Sequence, residues 1–160
     1  MDQSKYLIHH SISLPKAVYI DWENINWNNP EQTLLAASDA GFNVIILAFY
    51  LSSGVTDFGQ AWEGVPTATK QSTMNTIHQR GQIALISFGG STDNPYSYEP
   101  TQLGQTVANW ALSNQLDGVD FDLENFQCNK YFHLSFLTLS WIYCSRFKCR
   151  RNYSMGRYSF

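Results

Sequence analysis

The order of its apolar runs constrains the fold of this chain more than any other feature. Segments with strand character alternate with segments with helix character, in the order β-α-β-α-β-α-β. The predicted strands cover residues 16–21, 43–50, 82–88 and 117–124, and the predicted helices cover 31–40, 67–80 and 100–115. Helical crossovers between successive strands are typical of a parallel sheet. The sequence therefore predicts an α/β fold.

The spacing of the strands distinguishes two kinds of parallel sheet. Successive strands begin 26 to 39 residues apart, and eight such units need about 250 residues, the usual size of a (β/α)8 barrel. A doubly wound open sheet is the alternative, but Asp21-Trp22-Glu23 follows the first strand where that fold carries a Gly-rich phosphate turn. We therefore predict a partial (β/α)8 TIM barrel, about the first four strand–helix units, with an atypical C-terminal tail.

An abrupt change of composition near Asn125 predicts the domain boundaries. Residues 1–125 hold all 13 Asp and Glu with four Lys and Arg, whereas the remaining 35 residues hold six Lys and Arg, all three cysteines and no acid. We predict an N-terminal extension over 1–15, a folded domain over 16–126 and an unrelated basic and aromatic tail over 127–160. The acidic main body argues against nucleic acid as a partner.

The tail shows neither helix caps nor clear strand alternation. Residues 131–144 are apolar and aromatic, but 14 residues are short for a membrane span, which needs about 20. The pattern favours translation through an intron or a frameshift; a hydrophobic anchor with a basic flank is the alternative. Residues 7–14 are too short and too polar for the core of a secretory signal. The cysteines show no spacing typical of a disulfide framework or a metal site.

The last predicted strand alternates acids with large apolar residues, in the order Val119, Asp120, Phe121, Asp122, Leu123 and Glu124. Because successive side chains of a strand point to opposite faces, the three carboxyls should share one face while the apolar groups pack on the other. Neighbouring acids then lie about 7 Å apart along the strand, so ionising one makes ionising the next harder. A proton held on one carboxyl near neutral pH is what a general acid requires.

Calcium binding is the alternative use of these acids. Calcium loops are rich in turns, whereas the residues between these acids are Val, Phe and Leu. The sequence therefore predicts no metal site and no cofactor. Asp117, at the start of the strand, is expected to have a structural role.

Three segments resemble glycoside hydrolase family 18, the chitinases. Asp117–Glu124 resembles the family signature Asp-x-x-Asp-x-Asp-x-Glu, and Ser87-Phe88-Gly89-Gly90 is similar to its Ser-x-Gly-Gly motif. Asn43–Tyr50 is similar to the second strand of the small class III enzymes. The resemblance covers residues 16–126 and implies a truncated catalytic domain, the first half of a (β/α)8 barrel with the signature on its fourth strand.

The resemblance implies substrate-assisted, retaining hydrolysis of β-1,4-linked N-acetylglucosamine, in which the N-acetyl oxygen of the sugar is the nucleophile. Glu124 would be the general acid, Asp122 would orient the acetamido group, and Asp120 would hydrogen-bond Asp122. The position of Glu124 supports its role independently, since barrel active sites lie at the carboxyl ends of the strands.

The resemblance also implies five substrate-binding residues, Tyr19, Phe49, Ser87, Gly89 and Gly90. Chitin or an N-acetylglucosamine-containing oligosaccharide would be the partner, an extracellular location is expected, and membrane association is not. The second half of the family's barrel normally supplies a tyrosine that holds the acetamido group and a tryptophan floor beneath the sugar. Neither residue is assigned in this chain.

Other aromatic residues fall in predicted loops after strands, namely Trp22, Trp27, Trp62, Tyr96 and Tyr98. Their flat apolar faces suit stacking on sugar rings, but ordinary packing explains each of them as well. Trp110 lies on the apolar stripe of a predicted helix and is expected in the core, and His78 is expected to be a solvated helix residue.

Two further functions stay open. A carbohydrate-binding protein without turnover is favoured by the absent half of the barrel, and an endo-β-N-acetylglucosaminidase acting on N-glycans would share the motif and the mechanism. Open edges on the first and fourth strands, together with apolar faces left without the absent strands, predict that the 160-residue chain made alone is poorly soluble and inactive.

Overall fold

A computed structural model describes residues 15–124, apart from the side chain of Tyr96, and the backbone of residues 143–147. The strands are β1 (Ala17–Ile20), β2 (Val44–Leu51), β3 (Gly54–Val55), β4 (Ile83–Gly89), β5 (Gly118–Leu123) and β6 (Tyr143–Phe147). The helices are α1 (Pro30–Asp39), α2 (Asp57–Glu63), α3 (Thr67–Gln79) and α4 (Pro100–Ser113). Most of the predicted N-terminal extension and of the predicted tail lies outside the described residues.

The described strands form one sheet in the order β1-β2-β4-β5-β6. All neighbours in that order run parallel, and the short β3 pairs antiparallel with the end of β2. Helices connect the successive parallel strands from β1 to β5, which confirms the predicted α/β fold. Within the described residues the sheet does not close, so the fold is a partial barrel.

Proline and glycine set the limits of the helices. Pro30 and Pro100 occupy the first turns of α1 and α4, where a missing N–H costs nothing. The Glu99 carboxylate caps α4 by accepting a hydrogen bond from the Gln102 N–H at 2.7 Å. Hydrogen bonds from the backbone of Gln102 and Thr101 lower the pKa of Glu99. Gly41 follows α1 with a φ of 84°, a left-handed conformation that favours glycine.

One face of the sheet packs against the helices and forms the main core. It includes the apolar residues of β5, Val119, Phe121 and Leu123, which are all buried. Phe121 meets Phe88 of β4 edge to face, with ring centroids 5.9 Å apart. The predicted division of β5 into an apolar face and an acidic face is therefore confirmed.

The opposite, inner face of the sheet carries a smaller apolar cluster. Val44, Ile46 and Leu85 are buried there, with Ile83 packed beside them. The prediction that this part of the chain exposes its apolar faces is wrong for these residues. Side chains in register on neighbouring parallel strands, such as Ile46 and Leu85, contact one another and remove apolar surface from water.

The segment after β2, for which the sequence predicts neither a strand nor a helix before residue 67, is not a continuous loop. It contains the β3 strand and the helix α2, and Phe58 and Trp62, four residues apart on α2, are both fully buried. The Trp62 indole N–H donates to the Asn114 carbonyl at 3.0 Å. The prediction of a loop position for Trp62 is therefore wrong, and its indole is part of the core.

The described part of the predicted tail contains a strand that the sequence does not predict. The β6 backbone pairs in parallel with β5, with Asp122 opposite Arg146 and Leu123 opposite Phe147. Pairing of this kind satisfies backbone groups and needs no alternation of side chains. The prediction of an open edge at the fourth parallel strand, β5, is therefore wrong, whereas β1 has a described neighbour on one side only.

None of the helices in the described residues is both long enough and apolar enough to cross a membrane.

Candidate active site

The carboxylates of β5 differ in their access to water. Asp120 is fully buried, Asp122 is half-buried, and Glu124, directly after the strand, is exposed. Asp120 and Asp122 lie on the inner face, because the residues on either side of them in the strand fill the main core. Access to water and to a ligand therefore increases toward the carboxyl end of the strand, where barrel enzymes hold their substrates.

Two hydroxyl groups hold the deepest carboxylate. The Tyr19 hydroxyl of β1 donates to Asp120 Oδ2 at 2.8 Å, and the Ser87 hydroxyl of β4 donates to the same oxygen at 3.2 Å. Ser87 lies opposite Asp120 in the strand register and is itself fully buried. Asp120 is therefore fixed by side chains from two other strands. These contacts bring together three of the residues that the sequence analysis assigns to the site.

Gly89 and Gly90 allow β4 to end in close contact with β5. Both adopt positive φ, 112° and 107°. A Cβ on Gly89 would stand 2.4 Å from the Asp122 carbonyl oxygen, and the Gly90 N–H donates to that same oxygen at 2.7 Å. Only glycine fits such an approach at such a φ. The two glycines thus fix the backbone of Asp122.

Phe49 lies at an irregularity near the end of β2. The register with β4 passes from Ala48 opposite Ser87 directly to Tyr50 opposite Phe88, so Phe49 has no partner in β4, and the Ala48–Phe49 peptide bond is cis. The Phe49 ring lies 3.5 Å from the position that a Cβ on Gly90 would take. The predicted site residue Phe49 is therefore a direct neighbour of Gly90.

One residue of this region is absent from the sequence-based predictions. Asp93, in the loop after β4, is buried, and its Oδ1 accepts hydrogen bonds from both the N–H and the hydroxyl of Ser52. The signal that could have identified it is an acid three residues after Gly90, in a polar loop at the carboxyl end of a buried strand.

The remaining aromatic residues divide into exposed and packed groups. Trp22 and Trp27, in the segment after β1, are 60% and 53% exposed, and Tyr98, before α4, is also exposed. The side chain of Tyr96 lies outside the described residues. Trp110 packs against the core as predicted: it meets Tyr50 edge to face at 5.4 Å, and its indole N–H donates to Glu63 at 2.7 Å.

Asp117 has a structural role at the opposite end of β5. Its Oδ2 accepts the Ala84 N–H at 2.8 Å, and its Oδ1 lies 2.7 Å from His78 Nε2. His78 is exposed, as predicted, but it also contacts this carboxylate. Both groups lie near the starts of the strands, the end that stabilises a barrel rather than the end that binds its substrate.

No group of three or more His, Cys, Asp and Glu side chains in residues 15–124 has an arrangement that could hold a metal ion.

No protein-family profile matches this chain. No curated protein sequence matches it either.

Solved structures do resemble it. A chitinase of glycoside hydrolase family 18 from Pseudoalteromonas aurantia is 26% identical with a TM-score of 0.52, and the match covers 70% of this chain and 42% of that one. This chain thus spans less than half the length of that enzyme. The xylanase-alpha-amylase inhibitor protein XAIP-I, solved with trehalose, is 20% identical with a TM-score of 0.48, and the match covers 71% of this chain and 46% of that one.

A chitinase from Bacteroides thetaiotaomicron is 16% identical with a TM-score of 0.40, and the match covers 72% of this chain and 38% of that one. The Pseudoalteromonas aurantia enzyme is similar to this chain in fold over the aligned part of the two chains. On this likeness, the chain is similar to the chitinases of glycoside hydrolase family 18, whose strand–helix barrel it forms in part.

Proposed function

We propose that the protein is a glycoside hydrolase that acts on β-1,4-linked N-acetylglucosamine, in chitin or chito-oligosaccharides, by substrate-assisted retaining hydrolysis. The observation that supports this most is the acidic face of β5, on which Asp120, Asp122 and Glu124 become steadily more exposed toward the carboxyl end of the strand. The likeness to the Pseudoalteromonas aurantia chitinase supports the same chemistry.

Glu124 is the proposed general acid. It must come within roughly 2.6–3.2 Å of the glycosidic oxygen, which an exposed side chain just beyond the strand can do. As Glu124 gives its proton to that oxygen and the bond to the leaving sugar breaks, the carbonyl oxygen of the substrate's N-acetyl group bonds to the anomeric carbon. Water then opens the resulting oxazolinium ion and returns a proton to Glu124, with the configuration retained.

Asp122 and Asp120 support this step. Asp122, half-buried two residues before Glu124, accepts the acetamido N–H and stabilises the positive charge of the oxazolinium ion. Asp120, which is held by Tyr19 and Ser87, keeps Asp122 in its orientation. Preorganised carboxylates of this kind act where charge develops in the transition state. Phe49, Gly89 and Gly90 complete the proposed binding wall, and the proposed partner is the sugar chain.

Glu124→Gln tests this assignment in the full-length chain. Where the wild type hydrolyses chitotriose, contrary to the prediction that the chain made alone is inactive, loss of the general acid should lower that hydrolysis by roughly 10²–10⁴-fold. Chitotriose binding, followed by tryptophan fluorescence, should persist. Glu99→Gln is the matched control, since Glu99 is an exposed acid that caps α4. Undiminished hydrolysis by Glu124→Gln would exclude Glu124 as the acid.

Carbohydrate binding without turnover is the second candidate. The open sheet of the described residues favours it. A chain that binds chitotriose without cleaving it would support this candidate. A chain that cleaves a high-mannose glycopeptide in preference to chitotriose would instead be an endo-β-N-acetylglucosaminidase.

A further inference from the structure

A buried carboxylate joins two loops beside the acidic face of β5. Asp93 lies between β4 and α4 and is 5% exposed. Its Oδ1 accepts hydrogen bonds from the Ser52 N–H at 3.0 Å, the Ser52 hydroxyl at 2.5 Å and the Asn94 N–H at 2.9 Å. Hydrogen bonds to a carboxylate are roughly twice as strong as those between neutral groups. Asp93 therefore ties the β4–α4 loop to the turn that follows β2.

The two segments joined in this way carry residues of the candidate site. Ser52 lies three residues after Phe49, and Asp93 lies three residues after Gly90. The Asp93 N–H also donates to the Gly90 carbonyl at 3.1 Å, so its own loop turns back on Gly90. The hydrogen bond between Ser52 and Asp93 therefore joins the two segments that bring Phe49 and Gly90 into contact.

The connection continues to the acidic strand through one backbone hydrogen bond. The Gly90 N–H donates to the Asp122 carbonyl at 2.7 Å, and a Cβ on the preceding residue, Gly89, would stand 2.4 Å from the same oxygen. A movement of the β4–α4 loop would therefore displace the group that holds the backbone of Asp122. A misplacement of about 1 Å in an active site can cost on the order of 100-fold in rate.

We propose that Asp93 is a positioning residue of the candidate site. By fastening Ser52 to the β4–α4 loop, it holds Phe49 and Gly90 against Asp122 and so fixes the width of the pocket that receives the acetamido group. Asp93 itself does not touch the sugar. The part of this inference that concerns the sugar rests on the proposed function above.

Asp93→Asn and Ser52→Ala, made in the full-length chain, each weaken the link. Glu99→Gln is the matched control: Glu99 lies in the same loop and caps α4 through the Gln102 N–H, but it makes no hydrogen bond to the turn after β2. Two quantities are measured in all the variants. The first is the hydrogen-exchange rate of the Gly90 amide, and the second is the ratio of affinities for chitotriose and for cellotriose, which has no acetamido groups.

Loss of one hydrogen bond to a carboxylate corresponds to roughly a tenfold change in an equilibrium. Exchange at Gly90 should therefore become about tenfold faster in Asp93→Asn and Ser52→Ala, and the preference for chitotriose should fall by about the same factor. Both quantities should stay at the wild-type level in Glu99→Gln. A merely structural role for Asp93 would lower the melting temperature and leave the affinity ratio unchanged.

Unchanged exchange at Gly90 in both link variants would overturn the proposal. So would faster exchange with an unaltered preference for chitotriose, since the link would then not reach the pocket. A wild-type chain that shows no preference for chitotriose over cellotriose would contradict the proposed function instead, and the exchange rates would then decide alone whether Asp93 positions Gly90.

Discussion

The absence of a side chain at Gly89 allows β4 to approach the acidic strand β5 closely. With a φ of 112° and only 2.4 Å between an added Cβ and the Asp122 carbonyl oxygen, Gly89→Ala combines backbone strain with a collision against backbone. We expect it to lower the free energy of unfolding by about 2–4 kcal/mol, measured by urea denaturation.

Gly64→Ala is the matched control for Gly89→Ala. Gly64 ends α2 with a φ of −72°, and a Cβ there would stand 3.5 Å from the Ala61 carbonyl oxygen, an ordinary contact. The free energy of unfolding should then change by less than about 1 kcal/mol, in either direction. Equal destabilisation by the two substitutions would contradict the close approach of β4 and β5 at Gly89.

The start of β5 is anchored by Asp117, which joins two other elements. Its carboxylate accepts the N–H of Ala84 in β4 and contacts His78 at the end of α3. Asp117→Ala leaves the Ala84 N–H without this acceptor and should cost about 1–3 kcal/mol. His78→Ala removes only a partly exposed contact with the same carboxylate, and contacts of this kind are worth about 0–1 kcal/mol. Thermal unfolding of the two variants measures the difference.

Chitotriose affinity should be retained in Asp117→Ala below its unfolding temperature, because Asp117 lies at the opposite end of β5 from Glu124. A larger loss of stability in His78→Ala than in Asp117→Ala would contradict the anchoring of the strand by the Ala84 hydrogen bond.

The helix α2 shows why one element escaped prediction. It has seven residues with Gly59 in its interior, which is too short for a helical period to be distinguished from a loop. Glycine suits this position because a Cβ would stand 2.6 Å from Val55 Cγ2 and 3.0 Å from both Ile86 Cδ1 and the Phe49 carbonyl oxygen. Val55 belongs to β3 and Ile86 to β4, so the glycine at position 59 is explained by contacts with other elements and not by the helix itself.

The stability of the whole domain should depend on pH through one buried lysine. The ammonium group of Lys70 donates to the Glu63 carbonyl at 2.9 Å and to Asn114 Oδ1 at 2.8 Å, between α2, α3 and the end of α4. Desolvation lowers the pKa of Lys70 below 10.5, although the charge of Glu63 acts in the opposite direction. Between this lowered pKa and 10.5, the unfolded chain binds more protons at Lys70 than the folded chain does.

Stability should therefore rise with pH through that window by the contribution of Lys70. The measurement is the difference in the free energy of unfolding between the wild type and Lys70→Met, in urea, from pH 7 to pH 10. The free energy of unfolding of the wild type should increase relative to that of Lys70→Met as the pH increases. Lys16→Met, which removes an exposed lysine, is the control. A wild type that becomes less stable relative to Lys70→Met at high pH would contradict the desolvation of Lys70.

Local periodicity in the sequence determined most of the architecture. The alternation from Val119 to Glu124 predicted a strand with an acidic and an apolar face, and the apolar runs before it predicted β2 and β4 to within one residue at each end. These predictions succeed because the period of side chains along a strand or helix is a property of neighbouring residues alone. The roles of Glu124, Asp122 and Asp120 in catalysis stay predictions.

The tertiary structure alone decided the contacts that shape the site. Tyr19 reaches Asp120 across 101 positions of the chain, and Ser52 reaches Asp93 across 41. The pairing of β6 with β5 likewise follows from free backbone groups rather than from a side-chain pattern. No local pattern couples residues so far apart, because these contacts exist only once the parallel sheet has brought the ends of its strands together.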